Sequence, residues 1–158
     1  MRALEAGFTT IWVSNHGGRQ LDTSPATIDI LPEIRSVQQL SLKAATTTVL
    51  HCRAAVGSEV EIILDCGVQR GTDIVKALAL GADGVGIGKP YLYGLAAGGT
   101  EGVDKVMTIL KVEMERAMGL LGVGSIQELK QNGHKLIKRR GVSSRDGFGA
   151  RYSKSGII

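Results

Sequence analysis

The sequence predicts an α/β fold in which parallel β-strands are connected by helices, and two observations support this. Short apolar, β-branched segments alternate with longer segments of helical periodicity, in the order β, α, β, α, β, α. In addition, residues 7–15 and 81–89 share one pattern: a helix-ending glycine and three residues precede a short apolar strand and a polar loop. Repeated units of this kind are typical of a (β/α)8 barrel, whose functional loops follow the C-terminal ends of the strands.

The first unit begins with the expected last turn of a helix at residues 3–6, which Gly7 closes. Residues 10–13 (Thr-Ile-Trp-Val) predict a buried strand because they are β-branched or aromatic. A polar, glycine-rich loop follows at 14–20, and residues 26–40 predict a helix. The apolar positions of that helix recur every three or four residues, at Ile28, Leu31, Ile34 and Val37.

The second and third units repeat the same alternation of strand and helix. We expect these elements at 60–64 (strand), 72–80 (helix), 85–87 (strand), 100–121 (helix) and near 125–130 (helix). Either Thr72 or Asp73 can cap the first of these helices, and Gly81 ends it. The long helix has one apolar face, formed by Val103, Val106, Ile109, Leu110, Met114, Met118 and Leu121.

The 158 residues are enough for one domain with a hydrophobic core, but the charge is unevenly distributed. Residues 1–129 hold 11 Lys or Arg and 14 Asp or Glu, a net of −3, whereas residues 130–158 hold eight against one, a net of +7. We therefore expect a domain at 1–130, with an insert at 41–58 that fits no unit. Residues 131–158 are expected to be a basic, mostly disordered tail.

Several classes of function and location are disfavoured by composition. Aromatic residues make up 4% of the chain, too few for a surface that stacks single-stranded nucleic acid, so no nucleic-acid partner is expected. The Lys-Arg-Arg run at 138–140 leaves nucleic-acid or acidic-membrane binding as an alternative, although such tails are usually only solvated. Cys52 and Cys66 do not form a disulfide framework. No apolar run approaches the roughly 18 residues of a membrane span, no secretory signal is visible, and no metal site is predicted.

Two loops after neighbouring strands predict an anion site. Residues 65–72 run from a strand through a tight turn into a helix N-terminus, where backbone N–H groups and the helix dipole favour a phosphate. Gly88 and Lys89 end the next strand, and consecutive barrel loops often bind phosphate together. The pair indicates a phosphorylated cofactor or substrate, although each loop alone is also compatible with a structural turn.

Residues 13–22 (Val-Ser-Asn-His-Gly-Gly-Arg-Gln-Leu-Asp) place a base and a fixed cation on one glycine-rich loop. His16 can accept a proton near neutral pH, and Arg19 offers a bidentate fork for a carboxylate. This combination suits a small carboxylate substrate that loses a proton, but a histidine after a strand is also a common turn residue. Asp22 can orient Arg19 or His16, or cap the following helix.

Three segments, at 13–22, 65–73 and 84–90, closely resemble the FMN-dependent 2-hydroxy-acid oxidases and dehydrogenases. That family includes glycolate oxidase, lactate oxidase and flavocytochrome b2, and the similarity covers about residues 1–40 and 59–130. The resemblance implies a TIM (β/α)8 barrel of which this chain holds about three βα units, the C-terminal part. We therefore expect a C-terminal fragment of such an enzyme, in which Met1 is an internal residue of a longer parent.

The resemblance also implies roles for individual residues. His16 would be the catalytic base, and His16 and Arg19 would bind the substrate, with Arg19 on its carboxylate. FMN would contact Ser14, Asp65, Cys66, Gly67, Gln69, Gly88 and Lys89. The reaction would oxidise an (S)-2-hydroxy acid of the glycolate or L-lactate type to a 2-oxo acid, and would pass electrons through FMN to O2 or a cytochrome. Family members are expected to be soluble homo-oligomers, peroxisomal or mitochondrial in some cases, although this chain does not end in a Ser-Lys-Leu-type signal.

Three residues depart from the family pattern at the expected phosphate site. Cys66 replaces a glycine, and Gln69 and Lys89 each replace an arginine. A charge-assisted hydrogen bond contributes roughly 1.5–3 kcal/mol, so the loss of one would weaken FMN binding about tenfold or more. Arg70 is the candidate to compensate, although we expect its side chain to point elsewhere. These departures motivate an alternative, an inactive fragment or a non-catalytic remnant that binds FMN or phosphate.

Overall fold

The computed structural model describes residues 6–32, 34 and 60–137. Its three strands are β1 (Thr10–Val13), β2 (Glu61–Leu64) and β3 (Gly84–Val85), and they form one parallel sheet in the order β1-β2-β3. Its helices are α1 (27–32), α2 (Gly71–Ala79), α3 (Lys89–Leu120) and α4 (Ile126–Leu136). The predicted alternation of strands and helices is therefore confirmed. The predictions for residues 3–5, for 35–40 and for the insert at 41–58 lie outside the described residues.

The strands end together at one edge of the sheet. Val13 pairs with Leu64, and Leu64 pairs with Val85, so the last residues of all three strands are in register. Each loop that follows a strand therefore starts at the same edge. This arrangement brings the sequence-distant segments after β1, β2 and β3 next to one another, as the predicted barrel units require.

Among the described residues, one face of the sheet packs against helices and the other face has no helix on it. The buried residues between the sheet and the helices are Val13, Leu31, Ile62, Leu64, Val68, Ala77 and Ala82. A second cluster joins α2, α3 and α4 through Val75, Leu78, Ala79, Met118, Val123 and Leu129. The opposite face of β1 carries Thr10 and Trp12, and Trp12 is 59% exposed. In a closed barrel that face would line the interior.

The long helix differs from its prediction. The segment expected at 100–121 is the second part of α3, which begins already at Lys89 and breaks its helical geometry at Gly98 and Gly99. Gly99 has a φ of 59°, a left-handed conformation that glycine adopts without a steric cost. The two parts of α3 approach closely at Gly94 and Gly102, where a side chain on either glycine would collide with the backbone of the other part.

Two further predictions are corrected in detail. The N-cap position of α2 is Arg70, and of the two residues predicted to cap the helix Asp73 contributes from the third helical position: its Oδ2 accepts hydrogen bonds from the backbone N–H groups of Gln69 and Arg70, at 3.2 and 3.1 Å. The boundary expected at residue 130 falls inside α4, which continues to Leu136, so residues 131–136 are helical and not disordered. The prediction of a disordered tail otherwise concerns 138–158, outside the described residues. Within the described part of the chain, no helix has the length and apolar character needed to span a bilayer.

Candidate functional site

The candidate site lies at the edge where the three strands end. The backbone N–H of Asp65 donates to the carbonyl of Val13 at 3.1 Å, and the N–H of Gly86 donates to the carbonyl of Leu64 at 2.8 Å. The residues that directly follow the three strands are therefore neighbours across the sheet: Ser14 after β1, Asp65 after β2 and Gly86 after β3. The structure brings the His16 loop beside the loop that follows β2, as the sequence predicts.

His16 lies in a tight 3-10 turn, His16–Gly18, that its neighbours hold in place. Asn15 stabilises the turn, because its side-chain Oδ1 accepts the N–H of Gly17 at 3.0 Å and its carbonyl accepts the N–H of Gly18 at 2.9 Å. The amide of Asn15 also donates to the carbonyl of Pro25 at 3.0 Å. His16 has a φ of 53°, which is unusual for a residue with a side chain. The imidazole is consequently presented to solvent at the strand end.

Cys66 links this turn to the loop after β2. Its Sγ accepts the N–H of Gly17 at 3.1 Å, lies 3.6 Å from the Oγ of Ser14, and donates to Oδ1 of Asp65 at 2.7 Å. Like His16, Cys66 is left-handed, with a φ of 69°. The sequence identifies Cys66 as a replacement for glycine and, by resemblance, as a contact of FMN, but gives no role to its thiol. The structure shows that the thiol connects both loops.

Asp65 is the charged residue at the centre of these contacts. Its Oδ2 accepts the indole N–H of Trp12 at 3.0 Å, and its Oδ1 accepts the thiol of Cys66. Burial alone would raise the pKa of Asp65, but hydrogen bonds from Cys66, Ser14 and Trp12, with the nearby His16, outweigh burial and lower the pKa. Asp65 is therefore held in its ionised form.

Sequence reasoning missed Trp12 and Thr27 as parts of the site. Trp12 is two residues before Ser14 in the alternation of β1, so both point away from the helix-covered face. This alternation is the sequence signal that could have identified Trp12 as part of the site. Thr27, which is buried, donates from its hydroxyl to the carbonyl of Asp65 at 2.5 Å. No local pattern indicates this contact, because the two residues are 38 positions apart.

The N-terminus of α2 is occupied by carboxylates of the protein. Asp73 accepts the N–H groups of Gln69 and Arg70, and Glu113 on α3 accepts the N–H of Gly71 at 2.9 Å. The guanidinium of Arg70 binds Glu113 at 2.8–3.0 Å, so the expectation that Arg70 points elsewhere is confirmed. The hydrogen bonds of this pair raise the pKa of Arg70 and, with the Gly71 N–H, lower the pKa of Glu113. These three N–H groups therefore already have anionic partners.

Open space remains beside the loops of Gly67 and Gly88. A Cβ added to either glycine would have no heavy atom within 4 Å, and Gly67 has a φ of 82°. Lys89 is exposed at the first residue of α3 and carries a positive charge next to Gly88. Open glycine backbone beside a cation suits a phosphate. Asp65, with an ionised carboxylate, suits ligand hydroxyl groups, so these residues fit a ligand that carries both, such as FMN.

The remaining candidates are exposed and less constrained. Arg19 ends the His16 turn with its side chain in solvent, and the side chain of Gln69 is also exposed. Asp22 neither caps a helix nor contacts His16: its Oδ1 accepts the N–H of Thr23 at 2.9 Å, within a turn. The described residues contain no cluster of three or more metal-ligating side chains.

Residues 1–136 match the family model described as FMN-dependent dehydrogenase. The chain belongs to this family. The resemblance predicted from the three sequence segments is therefore confirmed, and FMN is the cofactor after which the family is named. The match extends through α4, six residues beyond the boundary predicted from the change in charge.

Known relatives agree in fold and in the type of chemistry named. An L-lactate oxidase of Lactobacillus jensenii is 48% identical over 128 residues, which cover 81% of this chain and 27% of that protein. A peroxisomal (S)-2-hydroxyacid oxidase of Arabidopsis thaliana is 47% identical over 132 residues, covering 84% and 31%. A solved flavocytochrome b2 variant with sulfite bound is 38% identical, with a TM-score of 0.69, covering 98% of this chain and 36% of its own. The structural similarity confirms the prediction of an α/β part of a TIM barrel, and the chain spans about 30% of the length of the curated relatives it matches.

Proposed function

We propose that this chain supplies the catalytic base and part of the FMN site of an enzyme that oxidises a 2-hydroxy acid to a 2-oxo acid. The supporting observation is the joined pair of loops: the thiol of Cys66 contacts both the His16 turn and Asp65. A base, an oriented carboxylate and an open glycine loop thus lie at one edge of the sheet. Because the chain belongs to the FMN-dependent dehydrogenase family, we interpret this arrangement as part of a site for FMN and a 2-hydroxy acid.

In this proposal, FMN supplies the two-electron acceptor when it is bound. Asp65 and Ser14 would contact its hydroxyl-bearing part, and Gly67, Gly88 and Lys89 would receive its phosphate. The N–H groups at the tip of α2 contribute less than the sequence suggests, because Asp73 and Glu113 accept them. Cys66 and Gln69, which the resemblance also assigns to the cofactor, would lie at its border.

His16 and Arg19 would act on the substrate. The imidazole of His16 would take a proton from the 2-hydroxy acid, and the guanidinium of Arg19 would pair with its carboxylate. Both side chains are exposed at the strand edge, where a small molecule can reach them. The final electron acceptor would be O2 or a cytochrome, since the relatives named above include oxidases and a flavocytochrome.

FMN binding can be tested on the full 158-residue chain through its own fluorescence. Trp12 is the single tryptophan and lies at the site, so bound FMN should quench its emission in a saturable way. Riboflavin, which lacks the phosphate, should bind more weakly. Equal affinity for the two ligands would contradict the phosphate assignment, and the absence of any saturable quenching would contradict FMN binding.

The catalytic roles need the rest of a barrel, so we suggest a chimera. The matching segment of the Lactobacillus jensenii L-lactate oxidase would be replaced by this chain, and flavin bleaching by L-lactate would be followed without oxygen. We expect bleaching in the chimera, none after His16→Gln, and a higher L-lactate concentration for half-maximal bleaching rate after Arg19→Lys, because the lysine lacks the bidentate fork. A His16→Gln chimera that bleaches at the unmodified rate would refute the role of His16.

The second candidate is a non-catalytic remnant that binds FMN or phosphate. The replacements at Gln69 and Lys89 motivate it, because each removes an arginine from the expected phosphate site. Tight FMN binding by this chain, together with a chimera that is never bleached by substrate, would favour this alternative over the enzyme.

A further inference from the structure

We propose that Trp12 is a positioning residue, whose indole fixes the orientation of the Asp65 carboxylate at the floor of the FMN site. This inference rests on the proposed function, because it assigns Trp12 a role toward the same cofactor. Trp12 would not need to touch the cofactor. It would act through Asp65, which the FMN hydroxyl groups would meet.

The contact between the two residues crosses from one strand to the next. The Nε1 of Trp12 on β1 donates to the Oδ2 of Asp65, just after β2, at 3.0 Å. The indole then continues toward β3 and lies over Gly86. A Cβ added to Gly86 would be 3.1 Å from Cζ2 of Trp12 and 3.2 Å from the Cβ of Asp65. The indole keeps this position because residue 86 has no side chain.

Among the described residues, little packing holds Trp12 in place. The residue is 59% exposed there and lies on the sheet face opposite the packed helices, so it belongs to neither core cluster. Its hydrogen bond is the specific contact that the structure gives it. A directed hydrogen bond from a neighbouring strand restricts the geometry of the carboxylate that accepts it.

The hydrogen bonds to Asp65 show what the orientation achieves. One oxygen accepts the indole of Trp12 and the other accepts the thiol of Cys66, so the plane of the carboxylate is fixed at both ends. Each carboxylate oxygen can accept about two hydrogen bonds. With the further hydrogen bond from Ser14, one of the four acceptor positions remains, in a defined direction, and it suits a hydroxyl group of a sugar-alcohol chain.

The charge state of Asp65 depends on the same contacts. The groups that face it are the thiol of Cys66, the hydroxyl of Ser14, the indole of Trp12 and the imidazole of His16, whereas Gly86 on the β3 side offers no side chain. Because the indole N–H favours the ionised carboxylate, its loss would raise the pKa of Asp65 toward the ordinary value. As the pH is lowered, the FMN affinity of such a variant would then begin to decline at a higher pH than the FMN affinity of the wild type does.

The test compares Trp12→Phe with Thr10→Val in the full chain. Trp12→Phe keeps an aromatic ring and removes the N–H. Thr10→Val is the matched control, since it removes another cross-strand hydrogen bond from the same face of β1, Thr10 Oγ1 to Glu61 Oε2 at 3.2 Å, away from the loops. FMN affinity would be read from flavin emission, and the titration of Asp65 from its carboxyl carbon by NMR.

We expect Trp12→Phe to bind FMN roughly tenfold more weakly, the effect of losing one hydrogen bond to a charged group. Its Asp65 titration should move to higher pH, and Thr10→Val should change neither quantity. Trp12→Leu, which also removes the N–H, should reproduce Trp12→Phe and replaces it if that variant fails to fold.

The outcomes separate the inference from the proposed function. If the wild type binds FMN but Trp12→Phe binds it equally well with an unchanged Asp65 titration, the role of Trp12 is wrong and the FMN site stands. If no variant binds FMN, the proposed function fails for this chain, and with it the cofactor role of Trp12. The NMR titration then tests the contact itself. An unchanged Asp65 midpoint in Trp12→Phe would show that the indole does not act on the Asp65 carboxylate.

Discussion

Glu113 on α3 binds the guanidinium of Arg70 with both carboxylate oxygens, at distances of 2.8–3.0 Å. The same carboxylate accepts the backbone N–H of Gly71, the first residue of α2, at 2.9 Å. Glu113 therefore fixes the start of α2 from the helix side, while Cys66 fixes the preceding turn from the site side. The loop between β2 and α2 is held from both directions, as a loop that places ligand-binding groups requires.

The first prediction concerns this anchor. Glu113→Ala removes the partner of Arg70 and leaves the N–H of Gly71 without its acceptor, so we expect the Tm to fall by a few degrees. Glu113→Gln retains an acceptor and should lose less. The control is Glu115→Ala, because Glu115 pairs with Lys111 only at 3.9 Å on the exposed side of the same helix and should contribute little. Equal melting temperatures for Glu113→Ala and Glu115→Ala, by circular dichroism, would contradict the anchor.

The second prediction is a pH dependence of stability that originates at Glu113. Its pKa is lowered in the folded chain, first by the hydrogen bond from Arg70. A carboxyl with a lowered folded pKa stabilises the fold above its unfolded pKa, about 4.3 for glutamate, and loses this contribution as the pH falls through the folded value. Urea midpoints for the wild type and Glu113→Gln should thus converge as the pH falls below about 4.3, the unfolded pKa, and through the lower folded pKa. A constant difference between them from neutral to acidic pH would exclude this linkage.

The sequence was sufficient for the elements whose signal is local, and insufficient for contacts between distant positions. The β-branched run at Thr10–Val13 and the Gly7 and Gly81 turns were readable because each depends on neighbours in the chain. The bonds from Trp12 to Asp65 and from Arg70 to Glu113 join residues 53 and 43 positions apart, and no spacing rule predicts them.

The start of α3 shows a different reason for a missed element. Its first part, 89–97, precedes two glycines that leave helical geometry, so the apolar periodicity predicts a helix only after them, at 100–121. The close approach at Gly94 and Gly102 compensates for this break through packing, which only the folded structure reveals. At the site, the motif predicts that His16 and Asp65 follow strand ends, where the structure places them, whereas the contacts of the Cys66 thiol depend on its left-handed backbone.

The third prediction tests the packing of α2 on α3 at Gly71. An added Cβ would lie 2.5 Å from both the carbonyl oxygen of Leu110 and the Cβ of Glu113, so the helices would have to separate. We expect Gly71→Ala to cost about 1–3 kcal/mol of unfolding free energy. Gly119→Ala is the matched control on α3, where nothing lies within 4 Å and helix propensity should add up to about 1 kcal/mol. Urea denaturation that shows the same sign for both variants would refute this interpretation.

The fourth prediction separates strain from bonding at Cys66. Cys66→Ala keeps the left-handed backbone and removes the thiol, so we expect a loss of about 1 kcal/mol. Cys66→Gly also loses the thiol but relieves the left-handed strain, and should be about 1 kcal/mol more stable than Cys66→Ala. Chemical denaturation of the three chains measures both differences. If Cys66→Ala matches the wild type, the thiol does not stabilise the two loops.

The fifth prediction locates the phosphate at Lys89. Since the N–H groups at the tip of α2 already have carboxylate partners, the exposed cation beside Gly88 should carry much of the phosphate affinity. Lys89→Ala should therefore weaken FMN binding about tenfold, while Lys89→Arg, which restores a bidentate fork, should bind FMN at least as tightly as the wild type. Calorimetric titration gives the affinities directly.

Two controls make the Lys89 experiment specific to the phosphate. Lys135→Ala removes an exposed charge from α4, which packs against the C-terminal end of α2 at Ala79, the end remote from the phosphate loop, so it reports the effect of net charge alone. Riboflavin has no phosphate, so its affinity should be the same for the wild type and Lys89→Ala. If Lys89→Ala weakens riboflavin as much as FMN, then Lys89 supports the loop and not the phosphate, and the anion must bind elsewhere, with the backbone of Gly67 as the next candidate. Increasing salt should also reduce the difference between the wild type and Lys89→Ala, because a screened charge loses its advantage.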